Sequence, residues 1–288
     1  MNSELQNEEA ESTQPFISPF APLPPASAST WNVPLAFFNW AGSMAFSLLI
    51  PVVLSLIYAG LFAPEIFEAV KNRHLTMTKP LMLVQMVGLF GGQILSLLLS
   101  WIIVTGMGKT SFSQALGLQW VEKFKLPHAI ALGIGMYFLS IMMALLLPKH
   151  ETDLDMFLKF GLLVRIALAI VATIGAPIQE EIVYRGLLYT ALEKSVGTRG
   201  SVAIVGLLFW LVHVPQYWRS PATWGAVLVL SFVLTGLRAW SGKLLPCIAT
   251  HLFFNGIQGV LIVLTPEKSL HPEPAAQPAL LLLRALGY

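Results

Sequence analysis

Charge is scarce in this sequence. Asp, Glu, Lys and Arg make up only 11% of the 288 residues, hydrophobic residues make up 56%, and the mean hydropathy is +0.71. A soluble globular domain carries roughly 25% charged residues, so one soluble core cannot bury this much apolar side chain. The sequence therefore predicts an all-α, polytopic membrane protein. The formal net charge of +2 argues against a nucleic-acid partner.

Cysteine and several sequence signals are also nearly absent. Cys247 is the only cysteine, which excludes an internal disulfide and a thiolate metal cluster. Residues 1–30 contain no Lys or Arg, so the basic region of a secretory signal is missing. The acids and prolines there predict a disordered tail over residues 1–33. The sequence has no His-Glu-x-x-His zinc helix, Gly-x-Ser-x-Gly elbow or phosphate loop, and it does not end in a CAAX motif.

Hydropathy predicts a bundle of about seven or eight transmembrane helices, most of them near the roughly 20 residues that a bilayer requires. The apolar segments are 40–62, 81–107, 127–147, 157–192, 201–213, 224–240 and 245–264, with a short apolar helix at 279–288. We expect N-terminal transmembrane helices in residues 34–153, catalytic helices in residues 154–266 and a C-terminal tail in residues 267–288.

Two proline sites are expected to interrupt these helices. Gly175 can end a helix and Pro177 suits the first turn of the next one, so we expect a kink or break just before residue 180. Pro215 predicts the end of the helix that carries His213, because residues before a proline avoid the helical region.

Residues 180–185, with the sequence EEIVYR, place two acids and an arginine in the most apolar part of the chain. Ionisable groups at membrane depth are costly and usually face a protein interior or a water-filled cavity. Glu181 and Arg185 are one helical turn apart and are expected to pair. Glu180 is rotated by about 100° from Glu181, so we interpret it as a separate group and a candidate general base.

Two further polar positions lie in apolar helices downstream. His213 ends the run FWLVH, and His251 and Asn255 are one turn apart in the run HLFFN. An imidazole suits proton transfer, although a lone histidine on an apolar helix is also a common core residue. His251 and Asn255 can donate to a developing oxyanion or can form a polar clamp between helices. Spacing alone leaves these alternatives open.

The four polar residues can reach a common depth. If the turns at 194–199 and 241–243 lie on one membrane face, a rise of about 1.5 Å per residue places Glu180 roughly 22–24 Å from that face. The same rise places His213 at roughly 21–23 Å, His251 at about 12 Å and Asn255 at about 18 Å. We therefore expect these side chains to cluster in the middle of the bilayer.

Two other site chemistries stay open. Glu180, His213 and His251 supply a two-His, one-carboxylate zinc set, although the spacing gives no metal signal. Cys247 lies one turn before His251 and offers a thiol–imidazole pair, but a buried structural cysteine is far commoner. We expect no cofactor.

The three motifs together resemble the CPBP intramembrane proteases, which include the type II CAAX prenyl endopeptidases and the bacteriocin self-immunity proteins. The family's Glu-Glu-x-x-x-Arg motif is matched at 180–185, Phe-x-x-x-His at 209–213 and His-x-x-x-Asn at 251–255. The lead-in SGKLLP at 241–246 also looks like the family's. The resemblance covers about residues 175–260, and the first half of the chain matches only as membrane helices.

This resemblance implies an intramembrane endopeptidase. Glu180 and His213 would activate a water, and His251 and Asn255 would stabilise the tetrahedral oxyanion. A metal-free reaction is favoured, because an asparagine amide is a good oxyanion donor and a poor zinc ligand. The substrate would be a peptide or protein, with a prenylated, CAAX-type C-terminus as the class that the resemblance suggests.

By the same resemblance, Glu181 and Arg185 would support the site. The competing hypothesis is a membrane protein without catalysis. It would be a transporter or proton-coupled carrier that uses Glu180 and His213 as a relay, or an immunity protein that acts by binding.

Basic residues predict the orientation. Lys194, Arg199, Arg238 and Lys243 share one face, which the positive-inside rule makes cytoplasmic. Basic residues at 71, 73 and 79 on the opposite face weaken this asymmetry. We expect a multi-pass protein of the plasma (inner) membrane with its catalytic cavity open to the cytoplasm.

Overall fold

A computed structural model of the chain describes residues 31–72, 77–147 and 157–265. These ranges form helices and contain no β-strand, only an isolated bridge between Val121 and Phe124. The helices are α1 Val33–Phe62, α2 Glu65–Lys71, α3 Lys79–Thr105, α4 Phe112–Leu116, α5 Leu126–Leu146, α6 Leu162–Ile170, α7 Ala176–Glu181, α8 Tyr189–Tyr217, α9 Pro221–Ser241 and α10 Leu245–Leu264. The π-helical segments π1 (Val171–Gly175) and π2 (Ile182–Leu188) join α6 to α7 and α7 to α8.

The prediction of an all-α, polytopic membrane protein is confirmed. Within the described ranges, six helical stretches are long and apolar enough to cross a membrane. The longest, Leu162–Tyr217, has 56 residues and is interrupted at Gly197, whose φ of 71° and ψ of 172° are not helical. The chain folds back there, because the rings of Tyr184 and Phe209, on either side of Gly197, lie 5.0 Å apart. This reversal falls within the predicted turn at 194–199 and divides the stretch into two apolar passes.

Two helix starts differ from the sequence prediction. α1 begins at Val33 rather than at residue 40, because Asn32 caps it: the side-chain oxygen of Asn32 accepts the N–H of Leu35 at 3.0 Å. The apolar segment predicted from residue 157 contains a long helix that begins only at Leu162. It follows Gly161, whose φ is 87°. The predicted disordered tail over residues 1–33 is wrong at its end, because Trp31 is buried and Val33 begins α1. Residues 1–30 of that tail and the segment 267–288 with its apolar helix lie outside the described residues.

The sequence predicts a kink or break at the Gly-Ala-Pro site, and the helix does not break there. Gly175 has a helical φ of −64° and ψ of −51°, and the chain stays helical through Pro177. A proline inside a helix lacks an N–H and crowds the preceding turn. Here the wider π1 segment precedes the proline, and side chains of neighbouring helices donate to its carbonyls. Asn255 of α10 donates to the carbonyl of Ala172, five residues before Pro177, at 2.9 Å, and Gln93 of α3 donates to that of Val171 at 3.2 Å.

The predicted helix end at Val214-Pro215 is also wrong, because α8 continues to Tyr217. Pro215 lies in the last turn of α8. Pro215 lacks the N–H that would donate to the carbonyl of Leu211, one turn earlier, so α8 loses one hydrogen bond near its end. The preference of the residue before proline for extended backbone is overridden.

The helices surround π2, which lies in the largest buried cluster of the described residues. All the residues of π2 are buried, including the whole side chain of Arg185. α1 packs mainly against α3, α5 against α10 and α8 against α9. Trp31, just before α1, donates its indole N–H to the carbonyl of Leu187 at 3.1 Å. The segment that follows the paired acids and carries Arg185 therefore lies where the N-terminal helices meet the motif-bearing helices.

Helices α5 and α10 approach closely at Gly133. A Cβ at this position would lie 2.8 Å from Cβ of Phe253 and 2.9 Å from the carbonyl oxygen of Thr250. At Gly135, on the same helix, no atom of a packing neighbour among the described residues lies within 4 Å of the corresponding position. The packing that positions α10, with its histidine and asparagine, thus requires a glycine at 133 but not at 135.

We expect Gly133→Ala to lower the melting temperature of the purified protein and Gly135→Ala to leave it unchanged or raise it. Alanine at 133 must push α5 away from α10, whereas helix propensity favours alanine over glycine by about 1 kcal/mol at either position. Thermal unfolding in detergent, followed by circular dichroism, measures the difference. Equal melting temperatures for the two variants would contradict the close approach.

Candidate active site

Glu180 and Glu181 lie at the junction of α7 and π2. Glu181 is the last residue of α7, and Arg185 follows one turn later in π2. Consecutive helical residues point about 100° apart, so the two carboxylates face different neighbours. One carboxylate is partly exposed and the other is completely buried.

Glu180 faces two histidines from different helices. Its Oε1 lies 3.8 Å from Nε2 of His213 in α8, and its Oε2 lies 3.9 Å from Nε2 of His251 in α10. The side chains of Glu180 and His213 are 18% and 20% exposed, whereas that of His251 is 2% exposed. Both separations exceed a direct hydrogen bond and suit a bridging water. Three of the four residues expected to cluster are thus together.

Glu181 accepts hydrogen bonds from a cation and from an imidazole. Its Oε1 accepts from the guanidinium of Arg185 at 2.9 Å and from Nδ1 of His251 at 2.8 Å, and all three side chains are buried. The one-turn pair expected from the spacing is present. The spacing does not predict the contact with His251, which links the arginine to the histidine that faces Glu180.

The Nδ1 atoms of both histidines are held by acceptors. Nδ1 of His213 lies 2.7 Å from the carbonyl oxygen of Phe209, and Nδ1 of His251 lies 2.8 Å from the carboxylate of Glu181. A carbonyl and a carboxylate can only accept, so each Nδ1 carries a proton. The Nε2 atoms that face Glu180 are then acceptors in a neutral ring and donors in a charged one.

Asn255 lies one turn after His251 in α10 and is tied to π1. Its side-chain amide donates to the carbonyl oxygen of Ala172 at 2.9 Å. A side-chain amide has two N–H donors, so one remains for a further acceptor. The placement of Asn255 therefore depends on the π1 segment that precedes the acids along the same helical stretch.

Groups outside the three motifs hold Arg185. Its Nε donates to Oγ1 of Thr235 at 3.2 Å, and one terminal nitrogen donates to the carbonyl oxygen of Ser231 at 3.0 Å and to its Oγ at 3.3 Å. The guanidinium also lies 4.4 Å from the centre of the Phe209 ring. Sequence reasoning missed Ser231 and Thr235. Their signal is a pair of hydroxyls one turn apart in an apolar helix.

The structure gives little support to a thiol nucleophile or to a zinc site. The thiol of Cys247 is completely buried and donates to the carbonyl of Leu234 at 3.4 Å, so it faces α9. In the described part of the chain, no group of three or more His, Cys, Asp or Glu side chains has the arrangement of a metal site. The zinc set of Glu180, His213 and His251 therefore has no geometric support, and the expectation of a reaction without a cofactor stays a prediction.

A family match agrees with the interpretation of the motifs. The family model described as type II CAAX prenyl endopeptidase Rce1-like matches residues 162–257, which hold all three motifs. Over these residues the chain is similar to the Rce1-like family. The resemblance to the CPBP proteases is thereby confirmed, and the Rce1-like match supports a CAAX-type intramembrane protease activity in general. No curated protein and no solved structure matches the chain.

We expect Arg185→Met to lower the free energy of unfolding by about 3–5 kcal/mol, because the buried carboxylate of Glu181 would lose the guanidinium that donates to it at 2.9 Å. The double change Glu181→Gln/Arg185→Met should recover part of this loss. Lys123→Met, which removes an exposed cation, should change the free energy by no more than about 0.5 kcal/mol. Denaturant titration in mixed micelles measures these differences. An Arg185→Met loss as small as that of Lys123→Met would contradict the buried pair.

Proposed function

We propose that the protein is an intramembrane endopeptidase in which Glu180 and His213 activate a water while His251 and Asn255 stabilise the tetrahedral oxyanion. The observation that carries this proposal is one carboxylate 3.8 Å and 3.9 Å from two imidazole Nε2 atoms inside apolar, membrane-spanning helices. The Rce1-like match supports the protease class. Ionisable groups at such depth are costly and usually serve a function.

Charge balance favours a protonated His251. With Glu180 and Glu181 ionised and Arg185 positive, the cluster has one excess negative charge, which low-dielectric surroundings disfavour. His251 donates from Nδ1 to a carboxylate, whereas His213 donates only to a neutral carbonyl. We therefore assign the balancing proton to Nε2 of His251 and the neutral ring to His213.

The reaction begins with a water between Glu180 and His213. The Glu180 carboxylate takes one proton from the water, and the water oxygen attacks the carbonyl carbon of the scissile amide. Nε2 of His213 accepts the hydrogen bond of the second water proton and so orients the attacking lone pair. The step yields a tetrahedral intermediate with a negative oxygen and a protonated Glu180.

Two donors stabilise that negative oxygen: Nε2–H of His251 and the second amide N–H of Asn255. A preorganised donor of this kind typically lowers the barrier by about 2.7–4 kcal/mol. Collapse of the intermediate breaks the C–N bond, and protonated Glu180 gives its proton to the leaving amine. The carboxylate of Glu180 is regenerated, and the products are a carboxylic acid and an amine.

The proposed reaction needs no metal, and its proposed substrate is a peptide or protein with a prenylated CAAX C-terminus. Protein groups and one water supply and accept every proton in the proposed steps. The fourth group beside the carboxylate and the imidazoles is Asn255, whose amide donates to a carbonyl and is a poor zinc ligand. The substrate class follows from the similarity to the type II CAAX prenyl endopeptidases.

We also propose that the basic end of the bundle faces the cytoplasm. Two connections meet at this end, because the N–H of Leu244 donates to the carbonyl of Gly117 at 2.9 Å. Arg238 of α9 donates to Thr190 of α8 at 3.1 Å, close to the Gly197 reversal. The described cations of these connections are Lys109, Lys123, Lys125, Lys194, Arg199 and Lys243. Such a concentration of Lys and Arg is typical of cytoplasmic connections.

We expect membranes that contain the protein to cleave an internally quenched peptide with a farnesylated CAAX terminus. Glu180→Gln should lower the rate by about 10²–10⁴-fold, because glutamine keeps the shape but cannot take a proton. Glu122→Gln, a change of an exposed acid, is the matched control and should keep the wild-type rate. The wild-type rate should also survive exhaustive chelation with 1,10-phenanthroline.

Cleavage by Glu180→Gln at the wild-type rate would remove the base from the mechanism. Absence of cleavage by the wild type, together with proton-coupled transport by the same membranes, would favour the carrier alternative. Mass spectrometry of the membrane proteome with active and Glu180→Gln protein extends the test to natural substrates, since only active protein should create new C-termini.

Orientation is tested with single cysteines in a Cys247→Ala background. Lys109→Cys should react with a membrane-impermeant maleimide only from the cytoplasmic side, and Arg219→Cys only from the opposite side. Both native residues are exposed and lie at opposite ends of the bundle. The reverse pattern of labelling would contradict a cytoplasmic basic end.

A further inference from the structure

Helix α9 holds none of the motif residues of the site, yet its hydroxyls contact the buried arginine. Thr235 Oγ1 accepts from Nε of Arg185, and the carbonyl and Oγ of Ser231 accept from a terminal nitrogen. All three residues are completely buried. Arg185 therefore faces α9 on one edge of its guanidinium and Glu181 on another.

The hydroxyls of α9 are themselves fixed. Thr235 Oγ1 donates to the carbonyl of Ser231 at 2.7 Å, and Ser231 Oγ donates to the carbonyl of Gly206 at 2.8 Å. A hydroxyl has one donor and two acceptor sites. Each hydroxyl donates its proton to a backbone carbonyl and accepts a hydrogen bond from Arg185. The donor and the acceptor of each of these hydrogen bonds therefore lie within the bundle.

Because the guanidinium of Arg185 is planar and rigid, its hydrogen bonds to the fixed hydroxyls of α9 restrict its orientation. Its donors form a rigid planar fork, and three of its nitrogens are held: two by α9 and one by Glu181 at 2.9 Å. The ring of Phe209 lies 4.4 Å from the guanidinium carbon and covers one face. A planar group held at three edges and one face cannot rotate without breaking contacts.

The same contacts continue to the catalytic histidine. The Glu181 oxygen that accepts from Arg185 also accepts from Nδ1 of His251 at 2.8 Å. Nε2 of the same ring lies 3.9 Å from Glu180. An unbroken series of hydrogen bonds thus runs from α9 through the arginine and the buried carboxylate to the imidazole in the proposed oxyanion site.

We propose that Ser231 and Thr235 are positioning residues: they hold Arg185 against Glu181 and thereby fix the orientation of the His251 ring. This inference rests on the proposed hydrolytic function. It assigns α9 a role in the reaction through orientation alone, since neither hydroxyl touches Glu180, His213 or His251. Partners that orient a catalytic or ligating histidine typically matter about 10–100-fold when they are removed.

Thr235→Val tests this role, because valine keeps the shape and leaves Nε of Arg185 without its acceptor. We expect kcat on the farnesylated quenched peptide to fall about tenfold while KM stays within about twofold, since the lost orientation acts in the transition state. Thr235→Ser restores the hydroxyl and should recover most of kcat. In a Glu181→Gln background, Thr235→Val should have little further effect, because the connection to His251 is already broken.

Thr250→Val is the matched control. Thr250 is completely buried in α10, and its Oγ1 has no hydrogen-bond partner among the described residues. The change is the same loss of a buried hydroxyl in a neighbouring helix. It should leave kcat and KM at wild-type values.

A second readout does not depend on the substrate. In protein labelled with ¹⁵N-histidine, the Nδ1–H of His251 should give a downfield proton resonance, which is assigned by its absence in His251→Gln. We expect this resonance to persist in Thr235→Ser and Thr250→Val and to shift or disappear in Thr235→Val. Full-length protein in lipid nanodiscs serves for both measurements.

The outcomes separate the two proposals. Wild-type cleavage that Glu180→Gln abolishes, together with unchanged kcat and an unchanged resonance in Thr235→Val, overturns the positioning role alone. An equal loss of kcat in Thr250→Val also overturns it. A shifted resonance in Thr235→Val without any wild-type cleavage supports the orientation of His251 and contradicts the hydrolytic function.

Discussion

The interaction on which the structure most depends is the buried carboxylate of Glu181. One of its oxygens accepts from Arg185 at 2.9 Å and from His251 at 2.8 Å, and these bonds join π2 to α10. An ionised group inside a bilayer is stable only when charge and hydrogen bonds surround it. The carboxylate therefore determines how closely these elements pack, and the same contacts direct one imidazole towards Glu180.

The π-helical segments are the second constraint. π1 precedes Pro177 and makes its carbonyls available to side chains of other helices, so Gln93 and Asn255 bind there. π2 begins directly after Glu181, and its residues are entirely buried. Departures from regular helix geometry of this kind are often found at functional sites. In this chain they tie the placement of the proposed base and of an oxyanion donor to a single irregular stretch.

Much of the fold follows from hydropathy, because a bilayer demands long apolar helices whatever their neighbours are. The one-turn spacing of Glu181 and Arg185 likewise predicts their contact, since that spacing is local. Contacts between helices are not local. The hydrogen bond from His251 to Glu181 and those from Arg185 to Ser231 and Thr235 join residues far apart in the chain, and no spacing rule encodes them.

The predictions that differ from the structure fail because they use only local signals. A proline signal describes an isolated helix, whereas in the packed bundle a π segment precedes Pro177, and the side chain of Asn255 donates to the carbonyl of Ala172, five residues before the proline. The early start of α1 depends on a cap by Asn32, which hydropathy does not register. Local propensity therefore predicts where helices exist, and tertiary contacts decide where they bend or end.

The central claim is that Glu180 and His213 bind one attacking water within the membrane while Nε2 of His251 stays beside the same carboxylate. A high-resolution structure of the protein in lipid tests it most directly. We expect an ordered water between Glu180 and Nε2 of His213, with the two Nε2 atoms near the present 3.8 Å and 3.9 Å from the carboxylate. A Glu180 side chain directed into lipid, or bonded directly to Arg185 in place of Glu181, would contradict it.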